Sequence, residues 1–109
     1  MRQLRHTNRR FKMTKVNVLL TSDKVTMIVL LGEPVEGTPS LGLDLNEGAK
    51  LEDGIADVER MLKSDDAPIH FLMGGGPYAP ESAAQYSPIQ VAEFEIDNPA
   101  LDRFIEAVA

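Results

Sequence analysis

The stretch Val25-Thr-Met-Ile-Val-Leu-Leu31 decides the fold. It is apolar on both parities and rich in branched side chains, so a strand built from it has no face to give to water. That predicts a central strand, covered on both faces by helices, loops or a partner. Upstream, Val16, Val18 and Leu20 share one parity and predict a strand with one buried face, and Thr21-Ser-Asp-Lys24 supplies turn chemistry before the central run. Downstream, Gly32-Glu-Pro-Val-Glu-Gly-Thr-Pro-Ser40 carries two prolines and two glycines that break both ladder and helix, which makes it a loop. Leu41, Leu43 and Leu45 then alternate with Gly42 and Asp44 as a short third strand.

Beyond the third strand the period changes from two to that of a helix. Leu51, Ile55, Val58 and Leu62 are spaced by four, three and four residues, a narrow apolar stripe on a helix capped at Asn46 or just after it and ending near Lys63. Gly54 lies at the edge of the stripe, and close approach of helix to sheet explains a residue that costs roughly 1 kcal/mol against Ala. Ser64-Asp-Asp-Ala-Pro68 reads as the end of that helix, and Ile69-His-Phe-Leu-Met73 as a further buried strand. Leu41 to Met73 would then form a right-handed βαβ crossover, which predicts mixed strand directions.

Residues 74–88 hold the longest irregular segment, with at most a helical turn around Glu81 to Gln85. Fifteen such residues are many for a small domain unless they bind something or are disordered. In Ile89 to Ile96, Ala92, Phe94 and Ile96 share one face and Glu93 and Glu95 the other, while Ile89 and Val91 are out of phase, as at a bulge or a covered opposite face. Asn98 and Pro99 open a last helix whose stripe is Leu101, Phe104, Ile105 and Val108. The predicted order is β-β-β-α-β-β-α: an α+β two-layer sandwich, with two helices on a mixed or mostly antiparallel sheet of about five strands.

With 43% hydrophobic and 26% charged residues, the chain of 109 residues is composed like one folded domain rather than a disordered segment. It lacks cysteine, which excludes disulfides, zinc-thiolate sites and a thiol nucleophile and agrees with a cytoplasmic setting. The net charge of −6 is unevenly spread. Arg2, Arg5, Arg9, Arg10 and Lys12 precede Met13, whereas from Met13 onward six basic residues face seventeen acidic ones, a balance of −11. Residues 1–12 therefore read as a basic, disordered tail on an acidic domain at 13–109. The tail is either an arm for nucleic acid or an acidic surface, or a non-native extension upstream of a true start at Met13. The acidic body repels nucleic acid and anionic membrane and attracts basic partners. No apolar run approaches the roughly 20 residues of a membrane span.

Motifs for chemistry fail on inspection. Gly74-Gly75-Gly76 follows an apolar run but has no Lys-Ser/Thr after it, no basic neighbour, and Pro77 where a phosphate-binding donor belongs. Asp44-x-Asn46-x-Gly48 starts like a calcium loop, yet its twelfth position is Ile55 and its glycine is one place early. No serine sits in a nucleophile elbow, and His70 interrupts an apolar run as a core or boundary imidazole would. No cofactor or metal is expected.

What remains is recognition. Tyr78 and Tyr86, with Gly75 and Pro77, make 74–88 the strongest loop epitope, although folding back over the sheet to cover apolar surface is the more common role for such tyrosines. Asp53, Asp57, Glu93 and Glu95 are the acidic residues expected to meet a basic partner. These features predict a small non-catalytic protein-binding or inhibitory protein. Two other readings stand beside it: a homo-oligomer sharing its sheet through the Val25 to Leu31 strand, and a small-ligand protein or enzyme with a pocket near His70 and residues 74–88.

Overall fold

The computed structural model describes residues 13–108, so the basic tail expected at 1–12 lies outside the described residues. Five strands, β1 Thr14–Leu20, β2 Thr26–Leu30, β3 Pro39–Asp44, β4 Gly75–Pro77 and β5 Ile89–Ile96, form one sheet in the order β4-β3-β2-β1-β5. Every neighbouring pair is antiparallel. Four helices, α1 Leu51–Leu62, α2 Ala67–Gly74, α3 Pro80–Ala83 and α4 Pro99–Val108, complete an α+β fold, with a short 3-10 turn at Ala84–Tyr86. No helix among the described residues is long and apolar enough to cross a membrane.

The run at 25–31 does form the middle strand, and both of its faces are covered within the chain. Met27, Val29 and Leu31 join Val16, Val18, Leu20, Leu41 and Ile96 beneath Val58 and Leu62 of α1, Phe71 of α2 and Leu101 of α4. On the reverse side Leu30 and Leu19 pack against Tyr78, with Ile28 and Ala83 at the margin. The connection from β4 to β5 is therefore what covers the second face. Its ends are pinned where the Tyr78 N–H donates to the Thr38 carbonyl (2.8 Å) and the Ser22 N–H to the Tyr86 carbonyl (2.9 Å).

Local signals explain several elements. At the β1–β2 turn the Asp23 carboxylate accepts from the Thr21 hydroxyl (2.6 Å) and the Val25 N–H (3.1 Å), and Lys24 adopts φ 62°. Asn98 caps α4 through the Ala100 N–H (3.0 Å), and its amide donates to the carbonyls of Leu62 and Ser64 at 2.8 Å, tying α4 to the end of α1. A Cβ on Gly54 would lie 2.9 Å from Leu45 and 3.1 Å from Met27, the close helix-to-sheet approach its position predicts. The bulge expected near the start of β5 is present: Ala92 opposes Val18 and Gln90 opposes Leu19, leaving Val91 as the extra residue.

Four expectations are corrected. Residues 74–88, expected to be irregular apart from a helical turn, hold β4 at Gly75–Pro77, α3 and the 3-10 turn. Ile69 to Met73 is not a strand but the body of α2, so Leu41 to Met73 forms no βαβ crossover, and among the described residues no strands pair in parallel. Pro68, read as a terminator, stands in the first turn of this helix, where its missing N–H is harmless. Short apolar runs fit strand and helix equally by pattern, and Ala67 and Phe71, four residues apart, both reach the core. The first helix starts at Leu51, with Lys50 as a cap position lacking a side-chain bond, because Gly48 at φ 81° turns the chain after Asn46. His70 is exposed on α2 rather than set in a core or boundary site.

Candidate functional site

The predicted recognition residues are dispersed over the molecule. Gly75 and Pro77 lie on β4, at one edge of the sheet, and are exposed. Tyr78, the next residue, is only 8% exposed and fills the second core, so it is the covering side chain rather than the anchor. Tyr86, at the far end of the same connection, is 50% exposed.

The acidic residues do not form one patch. Asp53 and Asp57 lie on α1, where with Met27, Leu43, Leu45 and Met61 they line a hollow of about 260 Å³, and Asp57 pairs with Arg60. Glu93 and Glu95 stand on the opposite face of the sheet, since they oppose Asn17 and Lys15 of β1 while Val16 and Val18 face the helices. There the Lys15 ammonium lies between Glu33 (2.7 Å) and Glu93 (2.8 Å). Hydrogen bonds to these two carboxylates, with their negative charge, raise the Lys15 pKa above the usual lysine value. One positive charge on that face is thus shared between two of its carboxylates.

An exposed apolar surface that residue pattern concealed lies on α2. In α2, Ala67 and Phe71 enter the core, and Phe71 meets the ring of Phe104 at 6.0 Å between centroids. Ile69, Leu72 and Met73 point outward instead, 49%, 66% and 84% exposed. A helix apolar all round suits a fully buried position, yet α2 is covered on one side only. The signal lies in Ile69 to Met73, whose one polar residue, His70, fits a buried strand by pattern but marks the exposed side of a helix.

Beside α2 runs a groove of about 320 Å³, walled by Phe71, Leu72, Phe104 and Val108 on the helical side and by Pro39 and Pro77 on the sheet side. Gly37, Ser40 and Gly76 complete its lining, which contains neither a charged side chain nor His70.

β4 shapes the rim of this groove. Gly75 approaches β3 so closely that a Cβ would lie 2.3 Å from the Ser40 carbonyl oxygen and 2.9 Å from that of Phe71. Alternate residues of a strand direct their backbone groups to opposite edges. Tyr78 bonds inward to Thr38, and Gly76 opposes Ser40, so Gly75 and Pro77 face outward. The Gly75 N–H is already given to the Phe71 carbonyl, and proline has none. The outer edge of β4 therefore offers hydrogen-bond acceptors and no donor.

Compared with protein-family models, with curated proteins and with solved structures, the chain matches none, so its surface chemistry has to carry the functional argument.

Proposed function

We propose that this chain is a small non-catalytic binding protein, of the kind that acts by occupying or inhibiting another protein, and that it docks through the corner formed by α2 and β4. The observation that carries this reading is the exposure of Ile69, Leu72 and Met73 within five residues of one helix. Scattered exposed apolar side chains are ordinary, but three together beside an apolar groove are a surface that water disfavours and a partner can cover. The acidic surplus of the body contributes at longer range by drawing in basic surfaces at low salt.

A sheet shared between copies has less to recommend it. The doubly apolar β2 is covered on both faces inside one chain, and neither sheet edge invites extension: β4 lacks donors, while β5 carries a bulge and two glutamates. A catalytic or small-ligand pocket at His70 draws no support from the groove, whose lining excludes that residue.

The test is affinity capture from the native host followed by mass spectrometry, with the full chain, a Leu72→Glu/Met73→Glu variant and a Glu93→Lys/Glu95→Lys variant. A partner retained by the full chain and lost with the α2 variant is the expected result. Absence of any retained partner, or retention indifferent to both variants and to salt, would overturn the proposal.

A further inference from the structure

We infer that the α2–β4 groove takes a short segment of another protein carrying an apolar anchor flanked by lysine or arginine. This rests on the docking reading above and adds the chemistry of the partner. Three observations converge on it. The groove walls, Phe71, Leu72, Phe104, Val108, Pro39 and Pro77, are apolar and uncharged, so what enters between them is an apolar side chain. The rim presents the carbonyls of Gly75 and Pro77 with no N–H beside them, so what lies along it must donate. Ammonium and guanidinium groups donate and never accept. The surrounding body, at −11 from Met13 onward, favours the approach of a positive segment and disfavours a negative one.

Two of these observations, the acceptor-only rim and the acidity of the body, argue against a second copy of this chain as the occupant. Two-fold contacts place like surfaces together, so an acceptor-only edge would meet its own equivalent and two acidic bodies would be brought into contact. An ordinary added strand is also disfavoured, because a ladder needs donors from both sides and β4 has none to give.

The isotope-labelled full chain is titrated with two short synthetic peptides that share Leu and Phe anchors, one flanked by Lys and Arg and the other by Glu, while amide chemical shifts are followed. The basic peptide is expected to bind saturably and to shift amides of α2 and β4, with affinity falling about tenfold as salt shortens the screening length from about 30 to about 8 Å. Leu72→Glu should weaken it by about tenfold, whereas Ile89→Glu, on β5 and 63% exposed, should not. Both side chains are largely exposed, so both variants keep the fold, and their amide spectra verify it. Equal binding of the two peptides at α2 and β4 would overturn the partner chemistry while leaving the docking reading in place; binding of neither, or shifts elsewhere, also overturns it. Two outcomes would assign the groove to another occupant and overturn the inference. One is a Leu72-dependent dimer in sedimentation. The other is movement of α2 and β4 signals, without peptide, when Arg2, Arg5, Arg9, Arg10 and Lys12 are changed to Gln.

Discussion

Gly75 is glycine because of what its missing Cβ would touch, the Ser40 carbonyl oxygen at 2.3 Å, while its neighbour Gly76 meets nothing within 4 Å. These two successive glycines thus have different physical roles, and substitution separates them. Gly75→Ala is expected to lower stability by about 1–3 kcal/mol through overpacking of backbone against backbone, and Gly76→Ala to change it by less than about 1 kcal/mol, as read from urea midpoints. Ionisable residues make a second prediction at this scale. The Thr21 hydroxyl, then the Val25 N–H, hold the Asp23 carboxyl below its usual value, so its contribution is present above about pH 3.9, the ordinary aspartate value, and is lost as pH falls through the lower folded one. Stability curves of the natural chain and Asp23→Ala should differ at neutral pH and converge in acid; a gap that persists at low pH would show that Asp23 acts through packing instead. Lys15 has the opposite sign: raised by Glu33 and Glu93, it stabilises below about pH 10.4, the ordinary lysine value, and its contribution fades only as pH rises through the folded value.

Elements differ in how openly their residues declare them. β1, α1 and α4 each repeat one period over enough residues to leave a single reading, Asn98-Pro99 announces the start of α4, and β2, apolar on both parities, is marked instead by its branched side chains after a turn signal. α2 has only eight residues with apolar side chains on every side, so neither period is visible and its partners decide. A helix here buries Phe71 and exposes Leu72 and Met73; a strand buried on both faces would hide all three. Phe71→Ala is accordingly expected to cost about 3–5 kcal/mol and Leu72→Ser less than about 1 kcal/mol, measured by denaturant unfolding. Comparable losses at both positions would contradict the helical assignment. The candidate site suffers from the same ambiguity. Gly75 and Pro77 are legible as special because glycine widens and proline narrows the conformations open to the backbone, but Ile69, Leu72 and Met73 become a surface only once α2 is a helix at the margin of the core.

At the scale of the whole molecule, charge and topology act together. A body balanced at −11 repels itself, and Lys15, Arg60 and Lys63 are each already held by neighbouring carboxylates. Shortening the screening length from about 30 to about 8 Å should therefore raise the thermal midpoint, and a fall would show that these ion pairs outweigh the general repulsion. Topology sets where the acidic groups stand: α1 carries Asp53 and Asp57 on one side of the sheet, and β5 presents Glu93 and Glu95 on the other. By itself the sequence determined what depends on neighbours along the chain, namely the α+β class, the strand at 25–31, the stripes of α1 and α4 and the acidity of the body. The tertiary structure alone decided that Ile69 to Met73 is helical, that Tyr78 covers Leu19 and Leu30, and that β4 ends the sheet without donors. The reason is physical: a residue's period is set by bonds to its near neighbours, whereas the side it buries is set by surfaces that arrive from distant parts of the chain.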